Sequence, residues 1–358
     1  MHKVFPTIIF IVVTLIPANS FANDQNISTV LNRVVNNFVR PGYEKFLLAT
    51  LDQKANVDEL CSNPGSNSLE KARAAFTRTA ASWGQIEIIR FGPVSSENRF
   101  ERILFYPDRK STGLKQVQRI LSTQDETVLD INRLPKKSVA VQGLGAMEFL
   151  LFGTGSDGLE AGDAFRCAYA QAASSNLSII AREISQNWND NGAAYKIWTN
   201  PGPANPVLKN QREGVNTLLG TLVHGLESIR DLRISAFLRS EPAKDRPRVA
   251  LFRRSENTLM MISHNIEATR KLFSISDAKL LLSSDDKPLF DNVLFELENA
   301  QRMADSIQSP ISVALQNPEQ RAKIEYLKTS ISFAIQMLDE DFAIAAGLSS
   351  GFSFSDGD

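Results

Sequence analysis

This sequence predicts an all-α chain of two packed helical bundles, each of about four helices, and three observations carry that prediction. Apolar residues recur at three- and four-residue spacing over long stretches, as on a helix with one buried face. Short turns join those stretches, as in antiparallel bundles. No pair of segments alternates apolar and polar residues in the manner of half-buried strands.

Ile27, Val30, Leu31, Val34 and Phe38 form the first apolar face. Pro41 and Gly42 are expected to kink or stop that helix, because proline lacks the N–H and clashes with the preceding turn. A second helix is expected over 68–90, opened by Ser68, with Lys71 and Arg73 on its polar side. Phe91-Gly92-Pro93 ends it. Residues 94–112 read as irregular, with a turn at Tyr106-Pro107-Asp108, and 113–121 as a short helix. Helices are expected over 139–152, although it contains Gly143 and Gly145, and over the Ala-rich stretch 160–188. Pro201, Pro203 and Pro206 then interrupt regular structure and mark a linker or crossover. Beyond it, Val215, Leu218, Leu219, Leu222, Leu226 and Ile229 keep helical period towards Phe237. Further helices are expected over 257–273, 286–304 and 318–346, before a Gly- and Ser-rich tail over 347–358. The expected division is therefore a leader over 1–22, a first bundle over 23–200 and a second over 201–358.

The 358 residues carry 39 Lys and Arg against 40 Asp and Glu, a net charge of −1. A nucleic-acid binder usually carries a basic domain or stripe, so that class is excluded. Hydrophobic residues at 43% and charged residues at 22% match globular rather than disordered chains. Two cysteines exclude a Cys-rich zinc or iron–sulfur module. Residues 1–3 are basic, Ile8 to Ile16 are apolar, Pro17 breaks the run and Ser20-Phe21-Ala22 follows. That order is a secretory signal peptide with cleavage after Ala22, and the run is too short for an ordinary membrane span. No cysteine near the cleavage point offers a lipid anchor, and no later segment is apolar enough to cross a bilayer. In an oxidising compartment, the isolated pair Cys61 and Cys167 is expected to form a disulfide.

Glu148 is the first candidate site residue. It lies in the apolar run Val141-Gln142-Gly143-Leu144-Gly145-Ala146-Met147-Glu148-Phe149-Leu150-Leu151-Phe152 and shares a helix face with Leu144 and Leu151. A carboxylate buried there must be paired, hydrogen-bonded or metal-bound. Burial in an ion pair, with Arg90 as the candidate partner, and simple exposure of that position are the structural alternatives. His224 and Glu227, and likewise His264 and Glu267, stand three residues apart, so each pair could chelate zinc or iron or form a surface contact. Glu227, Arg230, Asp231 and Arg233 crowd one helical segment, which reads as helix-surface pairing or as an Arg-lined anion site. The zinc-protease pattern H-E-x-x-H, the Walker loop, G-x-G-x-x-G and G-x-S-x-G are all missing.

Several ordered segments resemble the imelysin-like family of exported bacterial proteins. They are Ala81-Ser82-Trp83-Gly84, Ile89-Arg90-Phe91-Gly92-Pro93, Phe105-Tyr106-Pro107-Asp108, Ser138-Val139-Ala140-Val141-Gln142-Gly143 leading into Met147-Glu148-Phe149-Leu150-Leu151-Phe152-Gly153, Cys167-Ala168-Tyr169-Ala170, Gly225-Leu226-Glu227 with Arg230-Asp231-Leu232-Arg233, and the ending Gly351-Phe352-Ser353-Phe354-Ser355-Asp356-Gly357-Asp358. The resemblance implies two helical bundles, a cell-envelope location, a link to iron uptake and a founding metallopeptidase. It also implies a G-x-H-x-x-E site at the interface of the bundles, which falls here on Gly143, Gly145 and Glu148. Glycine at 145 removes the metal-ligating nitrogen, leaving Glu148 as the one motif residue able to bind metal.

The favoured expectation is a non-catalytic periplasmic binding protein serving metal or iron acquisition. Its ligand would sit near Gly143, Gly145, Glu148 and Arg90, with Glu227, Arg230 and Asp231 opposite. The alternatives are a metal-dependent peptidase, with iron or zinc as cofactor, and a module that docks on an envelope protein.

Overall fold

The computed structural model describes residues 24–308 and 310–351. The expected leader, 1–22, and most of the tail lie outside the described residues. Among the described residues every regular element is helical, so the all-α expectation holds. The N-terminal part contains α1 (Asp24–Val34), α2 (Arg40–Ser62), α3 (Ser66–Gly84), the short α4 (Arg99–Ile103), α5 (Thr112–Thr123), α6 (Gly143–Phe152), α7 (Ala164–Asn187) and α8 (Ala193–Thr199). The C-terminal part contains α9 (Gln211–Glu227), α10 (Ser235–Phe237), α11 (Thr258–Ser276), α12 (Lys287–Asp305), α13 (Ile311–Ala314), α14 (Pro318–Gln336) and α15 (Ala343–Ala346). None is long and apolar enough to cross a membrane.

Pro41 does not stop the first helix. Wider π-helical turns over Val35–Val39 lead directly into α2, whose first turn carries Pro41. The wider turn changes the bonding register at the point where proline has no N–H to donate. The chain therefore runs helical from Asp24 to Ser62. Similar π turns, Ser228–Ile234 and Met337–Phe342, extend α9 and α14. The long helix over 318–346 is thus helical throughout, in three segments.

Helix α2 packs against α3 and α7, and α6 packs against α7 and α3. On the C-terminal side, α12 lies between α11 and α14, and α9 packs on α14. Contacts also cross the Pro-rich segment, because α1 packs on α9 and α11, and α3 on α11. Buried apolar side chains from Ile27 to Ala346 form one contiguous core. Aromatic residues fill wide gaps in it: Trp83 meets Phe46 at 5.1 Å and Phe100 at 5.5 Å.

Cys61, at the end of α2, is bonded to Cys167 in α7. The two positions are 106 residues apart, so the bond removes a large loop-closure entropy from the unfolded chain. Replacing both by alanine is expected to lower the unfolding free energy by about 2–4 kcal/mol, read as a lower urea midpoint under oxidising conditions. Under reducing conditions the difference should vanish.

Candidate functional site

The site begins at the entry to α6. Gly143 has φ +69°, and a Cβ there would lie 2.2 Å from the carbonyl oxygen of Arg102 and 2.4 Å from that of Ile103. The end of α4 and the start of α6 therefore touch backbone to backbone. Gln142 fixes the approach. Its Nε2 donates to the carbonyls of Leu134 and Lys137, and its Oε1 accepts from Asn176 at 2.8 Å and Arg102 at 3.2 Å. Tyr169 adds a 2.6 Å bond from its hydroxyl to the Val141 carbonyl. Gly143 is thus a structural residue.

Gly145 differs. It is exposed, and a Cβ built on it meets no atom within 4 Å. It faces a cavity of about 310 Å³ whose walls include Tyr106, Asp108, Glu148, Arg248, Arg253 and Arg254. Open space therefore lies over the position where the motif carries histidine.

Glu148 is buried at 6% exposure. Its Oε1 accepts bonds from the backbone N–H of Arg254 at 2.9 Å, the N–H of Ser255 at 3.1 Å and the Ser255 hydroxyl at 3.2 Å. Its Oε2 lies 3.8 Å from Nη1 of Arg254. The partner of the buried carboxylate is thus Arg254 and its loop, whereas Arg90 is elsewhere. Burial raises the Glu148 pKa above the usual glutamate range, while the Ser255 bonds and the Arg254 charge oppose that rise. The loop needs this anchor, because Phe252 and Glu256 hold positive φ of 53° and 59°. Phe252 is also buried edge-on against Phe76 of α3.

The other candidates disperse. Arg90 stands over the Phe100 ring at 4.4 Å and lines a separate cavity of about 280 Å³ with Phe91, Asn216, Thr221 and His224. Burial lowers its pKa, although the nearby Glu87 charge partly restores it. His224 Nδ1 is 2.9 Å from Glu227, and His264 Nδ1 is 2.9 Å from Glu267. Each histidine thus contacts the glutamate on its own helix, and neither lines the Glu148 cavity. Arg230 binds its neighbour Asp231 through two bonds of 2.9 and 2.8 Å. Asp231 lines a third cavity, of about 350 Å³, which adjoins that of Glu148 by sharing Tyr106, Asp108 and Val249.

Sequence reasoning missed one buried network. Glu87 pairs with Arg233, their side chains 6% and 8% exposed. Asn265 donates to Glu87 at 3.1 Å and to the Gly84 carbonyl at 2.9 Å. Arg233 also lies 4.5 Å from the centre of the Tyr106 ring. The only sequence signal was the position of Glu87 between the apolar residues Ile86 and Ile88.

The donor set at Glu148 does not fit a resident metal. Among the described residues, no group of three or more His, Cys, Asp or Glu side chains is placed to hold an ion. One oxygen of Glu148 faces three donors and the other faces a guanidinium, which are surroundings for a carboxylate without a cation.

Two consequences can be measured. Gly143→Ala should destabilise the fold by about 3 kcal/mol or more, whereas Gly145→Ala should stabilise it by about 0.5–1 kcal/mol because alanine is the better helix former; urea denaturation of both variants checks this contrast. A comparison with Glu148→Gln tests the raised pKa. Because the folded state holds the Glu148 proton more tightly than the unfolded one, wild-type stability should fall relative to the variant as pH rises. That fall begins in the ordinary glutamate range and ends at the raised pKa, and paired denaturation curves from about pH 4 upward would resolve it.

The family model for imelysin matches residues 39–336. The fold is similar to the crystal structure of an imelysin-like protein from Psychrobacter arcticum 273-4, with a TM-score of 0.77 at 19% identity, covering 92% of this chain and 98% of that one. It is also similar to a "putative iron-regulated protein A precursor" from Parabacteroides distasonis ATCC 8503, with a TM-score of 0.71 at 13% identity, covering 90% of this chain and 96% of that one. At such identities the structural likeness speaks for the fold alone. No curated protein matches this chain. The match over most of its length shows that the chain belongs to the imelysin family.

Proposed function

We propose that this chain is a non-catalytic binding protein of the imelysin family, periplasmic once residues 1–22 are removed, and that it serves iron acquisition. Its ligand enters the cavity over Gly145 and beside Glu148. The carrying observation is the open space at Gly145, where the motif's histidine would stand. A site without that nitrogen lacks the nitrogen-rich shell that a metallopeptidase needs to activate water. Glu148 has a different task here, because it anchors the wall of the cavity through the 252–256 loop. The iron association rests on the family and on the relative named as iron-regulated. A cavity of about 310 Å³ falls within the range of small-molecule sites.

The test is a thermal-shift screen of the purified mature protein with free iron, free zinc and iron chelates, repeated on Gly145→Trp. The indole should fill the open space and leave the fold intact. The expected result is saturable stabilisation by an organic ligand or chelate, worth about 2.7 kcal/mol at a hundredfold excess over Kd, and lost in the variant. Absence of saturable stabilisation by every compound would overturn the binding role. Stoichiometric zinc with chelator-sensitive cleavage of a protein substrate would replace it with the peptidase role.

A further inference from the structure

The two adjoining cavities share a charge pattern. Together they are lined by six arginines and only three carboxylates, in a chain whose overall charge is −1. The three carboxylates are already engaged. Asp108 accepts the backbone N–H of Thr112 at 2.7 Å and of Leu114 at 3.1 Å. Glu148 holds the 252–256 loop, and Asp231 is bound by Arg230. Among the arginines, Arg254 faces Glu148 and Arg239 donates to the Ala236 carbonyl. Among the described residues, the side chains of Arg109, Arg246, Arg248 and Arg253 have neither a hydrogen-bond acceptor nor a carboxylate partner.

Arginines scattered on a convex surface are well solvated and need no ligand. These line concave space, where like charges reinforce one another and the local field is focused. Burial lowers the Arg254 pKa, and the Arg253 charge adds to that effect. The segment that carries four of the six is fixed at two points. Asp245 is bound by Arg321 at 2.7 Å, and Arg321 also donates to the Arg239 carbonyl at 2.6 Å. Ten residues on, Glu148 holds the backbone of Ser255. The guanidinium groups therefore start from an ordered wall, which reduces the entropy lost on binding.

We infer that this double cavity binds a polyanion, a small molecule with several carboxylate or phosphate groups, through Arg109, Arg246, Arg248 and Arg253. Each guanidinium offers a planar fork that matches a carboxylate or phosphate with two parallel bonds. A metal would travel in this site inside an anionic chelate, since among the described residues no group of three or more His, Cys, Asp or Glu side chains is placed to hold a bare ion. The inference rests on the proposed binding role and gives its ligand a chemical class.

The experiment is calorimetric titration of the full mature protein at low salt with citrate, ferric citrate, inorganic pyrophosphate and, as a single-charge control, acetate. The polyanions should bind at least tenfold more tightly than acetate and weaken steeply as salt is raised. The paired change Arg246→Gln with Arg248→Gln should weaken them tenfold or more, while the melting temperature without ligand stays put because both side chains are exposed. Preference for citrate over pyrophosphate assigns a polycarboxylate, and the reverse a phosphate compound. Polyanions that bind no better than acetate, or equally well to the double variant, overturn the inference. If a neutral ligand then still gives saturable stabilisation that Gly145→Trp abolishes, the binding role stands without the polyanion. If no ligand does, both fall.

Discussion

The buried carboxylate of Glu148 is the interaction on which the site depends. It sits on a helix that is otherwise apolar on nearly every side, and it meets the backbone of a loop more than a hundred residues later in the chain. An unmet carboxylate at that depth would be strongly destabilising. The two N–H groups and the hydroxyl it accepts compensate for that, and in return the loop keeps two residues in left-handed backbone conformations. One ion thus joins the N-terminal helices to the C-terminal half, sets one wall of a cavity and carries part of the charge balance there.

Around this anchor, structural and open positions lie side by side. Gly143 is required by close backbone contact, and Gln142 and Tyr169 are bonded in behind it. Two residues on, Gly145 faces empty space. The segment therefore combines a residue that builds the helix entry, Gly143, with residues that line the cavity, Gly145 and Glu148.

Much of this was legible in the sequence. The helical period located nearly every long helix, because a buried stripe imposes it directly. Cys61 and Cys167 were legible through their isolation in a chain whose first residues read as an export signal. Glu148 was visible as a carboxylate in an apolar run. Its partners were not, since the N–H groups of Arg254 and Ser255 have no side-chain signature and lie far away in the chain. The helix through Pro41 was hidden because a π turn absorbs the missing donor, which no residue pattern announces. The arginines of the cleft come from segments on both sides of the Pro-rich stretch, so only the fold gathers Arg109 with Arg246 and Arg248.

Gly145 also separates two kinds of selection that are usually entangled. A residue in a packed helix answers first to folding, and a change of function there carries a penalty in stability. At this position an added Cβ meets no atom within 4 Å, and the residue lines the cavity. The size and chemistry of what the cavity admits can change one residue at a time while the scaffold is untouched. A solvent-facing helix position of this kind separates the lining of a cleft from the packing that holds the helix in place.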